Sequence, residues 1–491
     1  MSTTAESVSS TEVDAGAGAK LGGDAPPVRR SWSVAPLLLR LHFYAGILVA
    51  PFLVVAAITG LAFVFTPQLD AAVYSHEFFV DPVGQSTPLA QQVAAAVAAH
   101  PEGSVGSVIV SGEADTTTRV VFNVESLGEK QDTVFVDPYT SEVRGSLVTW
   151  FGETPLQTWF DDLHRNLHLG VFGRHYSELA ASWLWVVVLG GLVLWLRRQR
   201  GRRRVRATLL PDLSAGKGVR RTRSWHAATG VWLAIGLLIL SATGLTWSRY
   251  AGANFGAALD AFNGHAPDLT TAVEAAPPSG HHGTPGEAAQ VDIAAPDIAA
   301  VDGIVATARS AGLAGPIQVD LPAGAGAAWA VSQDDPLWPV SYDAVAVDAA
   351  GLTVTDRVDY AGWPILAKLT KLGISAHMGR LFGLVNQLLL AALALGLLCV
   401  IFWGYRMWWQ RRPTRADRAR LVGKSPTRGG WIQLPAWAIV IGVPLALAIG
   451  WALPELGVSL LAFLAVDLIV GAVKRRRQPP VVPTSPAPAG S

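Results

Sequence analysis

The sequence predicts an α-helical integral membrane protein with six transmembrane (TM) helices, in which a helix–domain–helix unit is duplicated. Hydrophobic residues make up 51% of the 491 residues and charged residues only 15%, which favours a bilayer over water as the surrounding solvent. Six apolar segments are long enough to cross about 30 Å of hydrocarbon. Four of these segments form two similar pairs, and each pair encloses a long polar region.

The apolar segments divide the chain into spans, outer domains and basic loops. The predicted spans are TM1 at 35–66, TM2 at 178–197, TM3 at 225–249, TM4 at 377–409 and a TM5–TM6 hairpin at 433–474. Two extracytoplasmic α+β domains are expected at 67–177 and 250–376, the second with a flexible Pro-, Gly- and Ala-rich insertion at 264–298. The expected cytoplasmic parts are a disordered tail at 1–34, basic loops at 198–224 and 410–432, and a tail at 475–491.

The basic residues predict the orientation. The segments after TM2 and TM4 read RRQRGRRRVR and RRPTRADRAR, whereas both long polar regions are poor in Lys and Arg. Because Lys and Arg concentrate on the cytoplasmic side of spanning helices, we expect a multi-pass protein of the cytoplasmic membrane with both termini in the cytoplasm. Because these arginines flank spanning helices, we interpret them as a signal of membrane topology and not as a nucleic-acid binding site. The single cysteine, Cys399, excludes an intrachain disulfide and a thiolate metal cluster.

Both polar regions contain a strand pattern. In the first region, SVIV, RVVFNV and DTVFVDP alternate apolar and polar residues, and VFVDPYTSEVRGS has the pattern of a strand, a turn and a second strand. The second region contains a weaker version of the same strand–Asp–turn–strand plan, YDAVAVDAAGLTVTDRV. The sequence therefore predicts a related sheet in each outer domain.

Self-similarity is the most informative signal in the sequence. The segments LHFYAGILVAPFLVVAAITGL and WHAATGVWLAIGLLILSATGL share a histidine, a glycine four residues later and a Thr-Gly pair that ends 18 residues later. Two further histidines, before TM2 and TM4, are each followed by Gly, Gly and Trp at offsets of 6, 27 and 31. These equal offsets indicate an internal duplication. We expect two units, about 40–200 and 224–412, related by a pseudo-two-fold axis along the membrane normal.

Four histidines occupy repeat-equivalent positions: an inner, cytoplasmic pair, His42 and His226, and an outer pair, His164 and His377. Eighteen residues make five helical turns, so each inner histidine shares its helical face with two glycines that leave room for a flat macrocycle. These glycines are Gly46 and Gly60 in the first copy and Gly230 and Gly244 in the second.

The two-fold axis brings the members of each pair together, as in a six-coordinate haem with one axial histidine from each copy. We therefore predict haem ligation at both pairs. Two alternatives stay open at this point. The same histidines could bind a bare metal ion, or the glycines could serve only helix packing and the histidines only the membrane interface.

Several nearby residues are weaker candidates. His168 follows His164 by four residues and is expected on the same helical face, which makes it an alternative outer ligand. Arginines near the pairs are candidate partners for haem propionates, with interfacial anchoring as the plain alternative; they are Arg40, Arg223, Arg165 and Arg380. The sequence contains no P-loop, dinucleotide fingerprint, HExxH or GxSxG motif. The electron donor is therefore expected to be a separate cytoplasmic protein or a membrane quinol.

The chain resembles the PepSY-associated transmembrane family of bacterial membrane proteins over about residues 35–412. The resemblance rests on the two repeated segments above, on DLHRNLHLGVFG and AHMGRLFGLVNQ, and on VFVDPYTSEVRG as the end of a PepSY-like domain. It implies a duplicated TM–PepSY–TM unit whose second PepSY-like domain is degenerate. Family members are linked to iron acquisition, and some resemble ferric-siderophore reductases with two b-type haems. If the family's haem ligands are carried over to the matching motifs of this sequence, they are His42, His226, His164 and His377.

These observations together predict a dihaem oxidoreductase, with two haem b groups, that passes electrons outward to ferric iron in a chelate or siderophore. No catalytic acid or base is expected, because outer-sphere electron transfer does not need one. The competing hypothesis is a non-enzymatic membrane protein whose PepSY-like domains bind and regulate an extracytoplasmic partner such as a peptidase. A histidine-lined metal transporter is a third possibility.

Overall fold

The fold consists of a bundle of long apolar helices and an antiparallel sheet at one end of it. The computed structural model describes residues 34–199, 209–272, 298–324, 326–335, 341–412, 426 and 434–476. Fourteen helices occur in these residues and are numbered in chain order. The first copy contains α1 (Ala35–Leu48), α2 (Ala50–Phe63), α3 (Thr66–Val73), α4 (Ser75–Phe78), α5 (Leu89–Ala99), α6 (Pro155–Asn166) and α7 (Gly170–Gln199).

The second copy repeats the order of the long helices. It contains α8 (Val219–Leu245), α9 (Tyr250–Ala261), α10 (Val301–Ser310), α11 (Ile365–His377) and α12 (Leu384–Gln410). The C-terminal hairpin consists of α13 (Ala436–Ala452) and α14 (Pro454–Arg476). Two 3₁₀ turns lie at Glu125–Leu127 and Tyr360–Gly362.

Four or five membrane spans are identified among the described residues, where six were predicted. Four helices among the described residues are long and apolar enough to cross a membrane, namely α7, α8, α12 and α14. A fifth span results only if α1 and α2, which meet at an angle of 55°, are counted as one. Helix α13 has 17 residues, or about 26 Å, which is shorter than the roughly 30 Å hydrocarbon layer. The chain is a multi-pass membrane protein, but the six-span prediction is not confirmed.

Proline explains why the first span is bent. Helix α1 ends at Leu48 and α2 begins at Ala50, with Pro51 in the first turn of α2. Because proline has no backbone N–H and its ring clashes with the preceding turn, it starts a helix more readily than it continues one. Hydropathy shows only that the segment is apolar, so the sequence predicted one straight helix here.

The long helices form a ring with approximate two-fold symmetry. Helix α1 packs on α7, α7 on α8, α8 on α12, and α12 on α2. A two-fold axis through the ring exchanges the α1–α2 pair with α8 and exchanges α7 with α12. No more than 28% of any spanning segment is buried within the chain, which leaves most of the helix surface to face lipid.

The strands of both copies join into one sheet. They are β1 (Ser104–Val110), β2 (Thr118–Asn123), β3 (Gln131–Val136), β4 (Val143–Thr149), β5 (Ile317–Asp320), β6 (Trp329–Gln333), β7 (Ala344–Asp348) and β8 (Thr353–Val358). Their order across the sheet is β4-β3-β2-β1-β5-β6-β7-β8, antiparallel throughout. The two copies meet where Val108 of β1 pairs with Val319 of β5. Helices α5 and α10 cover one face and bury Phe122 and Trp329 in a shared core.

The second half of the sheet is as regular as the first, although its sequence is weaker. In both copies an aspartate at the end of the third strand accepts backbone N–H bonds in the following turn: Asp137, directly after β3, and Asp348, the last residue of β7. The residue four positions later has a left-handed backbone in each copy, at Ser141 and Leu352. The expected degeneracy therefore affects the side chains and leaves the backbone plan unchanged. Residues 273–297 of the predicted insertion lie outside the described residues.

Candidate functional site

The inner pair of histidines lies inside the helical ring, far from the sheet. His42 of α1 and His226 of α8 face each other with ring centroids 6.2 Å apart. The Nδ1 atom of His42 is 2.9 Å from the carbonyl oxygen of Val187 in α7, and Nδ1 of His226 is 2.9 Å from the carbonyl oxygen of Val400 in α12. Each histidine is thus oriented by the second long helix of its own copy and faces its counterpart from the other copy.

The outer pair lies at the end of the ring that carries the sheet. His164 near the end of α6 and His377 at the end of α11 have ring centroids 6.4 Å apart. Their Nδ1 atoms are 2.9 Å from the hydroxyl oxygens of Thr59 and Thr243, respectively. Trp247 lies edge-on against His377. The structure therefore brings together both predicted pairs.

The hydrogen-bond partners determine which ring nitrogen is free. A carbonyl oxygen only accepts, so the Nδ1 atoms of His42 and His226 must donate to it. The Thr59 hydroxyl donates its only proton within its own helix, 2.8 Å from the Val55 carbonyl oxygen, and must accept from His164; Thr243 has the equivalent bond to Ile239. In the neutral rings, Nε2 keeps its lone pair, as in metal-binding histidines whose other nitrogen donates to a carbonyl or hydroxyl.

The spacing of both pairs fits two imidazoles on one metal ion. A ring nitrogen lies about 1.2 Å from the ring centroid and a histidine–metal bond is about 2.0–2.1 Å, so two rings in line on one ion have centroids about 6.5 Å apart. The observed separations are 6.2 and 6.4 Å. Among the described residues, neither pair is joined by a third His, Cys, Asp or Glu donor. A bare zinc site needs at least three protein ligands, whereas a haem supplies four nitrogens of its own and needs only two.

Repeated glycines let the histidine rings approach neighbouring helices. A Cβ atom on Gly60 would lie 3.1 Å from Cε1 of His164, and one on Gly244 would lie 3.0 Å from Cε1 of His377. These glycines were predicted to leave room for a macrocycle beside the inner histidines, but they make room for the outer histidines instead. An added Cβ on Gly46 or Gly230 would have no other heavy atom within 4 Å, and a macrocycle beside these two glycines stays a prediction.

A cavity of about 220 Å³ extends from the outer pair into the ring. It is larger than a cavity of about 150 Å³ that holds a benzene molecule. Its walls are mostly apolar residues of α2, α7, α8 and α12, and its polar side chains cluster around the outer pair. The charged ones are Asp161, Arg165, Arg174 and Glu178. Of these four, only Arg165 was predicted as a site residue. Glu178 caps α9 by accepting from the backbone N–H groups of Tyr250 and Ala251.

The predicted arginines have different surroundings. Arg165 lines the cavity, where it pairs with Asp161 and Asp162. Arg40 forms an ion pair with Asp467 of α14 and donates to the carbonyl oxygen of Pro426 at 2.9 Å. Arg223 lies three residues before His226 in α8. Because Arg165 lines the cavity that contains His164 and His377, its position suits an anionic group beside the outer pair.

Arg380 belongs to a separate contact above the outer pair. Its guanidinium donates to Glu153 at 3.0 Å. Burial raises the pKa of the Glu153 carboxyl to about 7, and the charge of Arg380 offsets this effect only in part. The contact joins the segment before α6 to the segment after α11 and thereby links the two outer histidine helices.

His168 does not share a helical face with His164. Helix α6 ends at Asn166, and the next two residues, Leu167 and His168, both have a positive φ. The His168 side chain is exposed and lies against Trp159, with ring centroids 5.0 Å apart and the ring planes tilted by 39°. The argument from helical spacing fails here because the helix has already ended.

A second pocket lies at the far end of the ring from the sheet. Lys217, Arg221 and Arg406 line it together with two indole rings, Trp225 and Trp403, whose centroids are 5.7 Å apart. The pocket lies close to the inner pair, because Trp225 directly precedes His226 and Trp403 precedes Gly404, which lies against His226. The equivalent positions in the first copy carry neither charges nor aromatic rings; those in the described residues are Leu37, Leu38, Leu41, Gly190 and Val193.

Comparison with known proteins agrees with the repeated architecture. No curated protein matches the chain. The family model of the PepSY-associated TM region matches residues 39–411, which is well over half of the 491 residues and includes both copies of the repeat. The two histidine pairs, the joined sheet and all of the ring of helices except the first four residues of α1 lie within the matched region. The chain therefore belongs to the family defined by the PepSY-associated TM region.

Proposed function

We propose that the protein carries two b-type haems, one at each histidine pair, and passes electrons outward across the cytoplasmic membrane to an extracytoplasmic acceptor. The observation that carries the proposal is the repeated bis-histidine geometry: two rings with free Nε2 atoms, about 6.3 Å between centroids, and no third protein donor among the described residues. When bound, haem supplies reversible one-electron chemistry. His42 and His226 would hold the inner group, and His164 and His377 the outer one.

The positions of the pairs suit transfer across the bilayer. His226 and Gly244 lie 18 residues apart in one continuous helix, α8, which corresponds to about 27 Å. Since Gly244 lies against His377, the pairs are separated by nearly the thickness of the hydrocarbon layer. The protein's own contribution is to fix each ring through its Nδ1 bond and to keep the bilayer centre between the pairs apolar.

The charges at the two ends favour particular reaction partners. At the inner end, Lys217, Arg221 and Arg406 favour an anionic cytoplasmic donor over a neutral one. At the outer end, Arg165 and Arg174 lie at the cavity that contains His164 and His377. Positive charge there suits the carboxylates of a haem or an anionic ferric chelate. We therefore propose ferric iron in a chelate or siderophore as the acceptor.

The absorption spectrum of the purified protein tests this proposal directly. We expect a Soret band, a sharp α-band on reduction with dithionite, and two haem b groups per chain after extraction. His42→Ala and His164→Ala should each lose one haem, whereas His175→Ala, whose ring contacts Glu455 instead of another histidine, should keep both. Adding a ferric chelate should reoxidise the reduced protein.

Colourless, fully folded protein from haem-replete cells would contradict the proposal and would favour a scaffold that binds an extracytoplasmic partner. Bound metal without a porphyrin spectrum would also contradict the haem proposal and would favour metal transport. Two haems retained in both alanine variants would show that the histidine pairs are not the ligands.

A further inference from the structure

A group of potential metal ligands lies on the sheet, away from both histidine pairs. His100 follows the last residue of α5, Glu102 lies in the turn after it, and Asp132 belongs to β3. Their three ligand atoms all lie within 4.8 Å of one another. The Nδ1 atom of His100 is 3.1 Å from Oδ2 of Asp132 and 3.4 Å from Oε1 of Glu102.

The two distances from His100 are compatible with ligands that share one metal ion. For metal–ligand bonds of about 2.0–2.1 Å, the ligand atoms of a tetrahedral site are about 3.3 Å apart. The Nδ1 atom of His100 is buried but makes no hydrogen bond, in spite of the two nearby carboxylate oxygens. A buried polar atom without a partner is unusual in a folded protein. The three ligand atoms lie close enough together for one cation to bind all of them.

The charge of the group favours a cation. Asp132 and Glu102 bring two negative charges close together, and within the described ranges neither carboxylate forms an ion pair with a lysine or arginine. The Asp132 side chain is only 14% exposed, so water screens its charge poorly. A divalent ion would neutralise both carboxylates and satisfy the imidazole.

The second copy of the repeat serves as an internal comparison. There, the residue after the last residue of the matching helix α10 is Ala311, which cannot bind a metal. The aspartate equivalent to Asp132 is Asp343, which accepts from the backbone N–H of Tyr360 and lies near Arg357. The second copy therefore gives its aspartate ordinary partners, and only the first copy places ligands around it.

We propose that His100, Glu102 and Asp132 bind a divalent transition-metal ion on the sheet, with water completing the coordination. One nitrogen and two oxygens suit ions such as Zn²⁺, Fe²⁺ or Mn²⁺. The Glu102 side chain is 59% exposed, so the site can exchange its ion with the surroundings. This site is independent of haem and of electron transfer.

Co²⁺ is a suitable probe, because its visible absorption reports on coordination by protein ligands. The test uses the full-length purified chain with His281→Ala and His282→Ala, two changes that remove adjacent histidines elsewhere in the sequence. Titration should give one saturable absorption band, and Zn²⁺ should displace it. His100→Ala and Asp132→Asn should each weaken Co²⁺ binding at least tenfold.

The control is His265→Ala, which removes another histidine–carboxylate contact, with Asp260, and should leave Co²⁺ binding unchanged. Haem content and elution volume are measured for each variant, so that loss of folding is recognised. No Co²⁺ band in the parent protein, or unchanged binding in a folded His100→Ala protein, would overturn the proposal.

Discussion

Each paired histidine has a hydrogen-bond acceptor for Nδ1 in its own copy of the repeat. The acceptors are backbone carbonyls for the inner pair and threonine hydroxyls for the outer pair. A backbone carbonyl cannot be removed by substitution, but a hydroxyl can. The outer pair therefore allows a direct test of how much the Nδ1 partner contributes to ligation.

Thr59→Val removes the acceptor for His164 without changing the shape of the side chain. Partners of this kind typically contribute 10–100-fold to metal affinity, so we expect the proposed outer haem to bind about 10–100-fold more weakly while the inner haem is retained. Haem-to-protein ratio and the reduced-minus-oxidised spectrum measure this. Thr370→Val is the matched control, because Thr370 also donates to the carbonyl four residues back, 2.8 Å away, but contacts no histidine. Equal haem loss in both variants would contradict the prediction.

Glu153 gives the protein a pH dependence near neutrality. The folded protein holds the proton up to about pH 7, whereas the unfolded chain releases it near 4.5. The stabilisation from this proton is therefore complete below about pH 4.5 and is lost as the pH rises towards 7. Between pH 5 and 8, wild type should lose up to about 2 kcal/mol of stability that Glu153→Gln keeps. Thermal unfolding midpoints at several pH values measure the difference, and the exposed Glu125→Gln should follow the wild type.

At the scale of single residues, the sequence predicted which histidines pair but not what surrounds them. Equal offsets from a duplication identify His42 with His226 and His164 with His377, because symmetry brings equivalent positions together. The position of His168 could not be predicted, because it depends on where α6 ends. Arg40 pairs with Asp467, 427 residues away, and no local pattern predicts such a contact.

At the scale of helices, the two copies differ in how closely the inner histidines approach the neighbouring helix. An added Cβ on Gly191 of α7 would lie 3.1 Å from His42, whereas one on Gly404 of α12 would lie 3.7 Å from His226. The first distance is too short for an ordinary contact and the second is normal. The duplication therefore supplies a matched pair of glycines for substitution.

Gly191→Ala should displace the His42 ring and reduce retention of the proposed inner haem several-fold. Gly404→Ala should retain it within about twofold, although both changes raise helix propensity by about 1 kcal/mol. Haem content after dilution into detergent is the measurement. Equal retention in the two variants would show that the approach of the ring to α7 is not critical.

The helices also show what hydropathy can and cannot predict. It located the apolar segments correctly, because burial in lipid requires about 20 apolar residues in a row. It did not predict the 55° bend between α1 and α2 or the shortness of α13. Both depend on where the backbone hydrogen bonds of a helix are interrupted, which mean hydropathy does not describe.

At the scale of the whole molecule, the main unpredicted feature is the joined sheet. The strand patterns predicted a sheet in each copy, but the pairing of β1 with β5 connects residues more than 200 positions apart. Edge strands expose unpaired N–H and C=O groups. Pairing the two inner edges satisfies these groups and fixes the outer domains of both copies to each other.

A disulfide across the junction tests this pairing. The test uses a Cys399→Ser background with a protease site inserted between α7 and α8. Ile109 and Gln318 lie directly opposite each other on β1 and β5, and both are changed to cysteine. We expect most of the protein to form a disulfide that holds the two halves together after cleavage on a non-reducing gel. Ile109→Cys with Arg357→Cys should not crosslink, because β8 lies four strands away, about 19 Å. Separation of the halves in the first variant would contradict the joined sheet.

The C-terminal hairpin makes the surroundings of this symmetric bundle unequal. Helix α14 packs on α7, where Trp183 donates to Ser459 at 2.7 Å, and Asp467 binds Arg40 of α1. In the described part of the chain, no comparable packing covers α12, the counterpart of α7. A lipid or quinol diffusing in the plane of the bilayer therefore meets a shielded flank on one copy and a bare flank on the other. Lateral access to the middle of the bundle is one-sided, even though the two histidines of each pair are related by duplication.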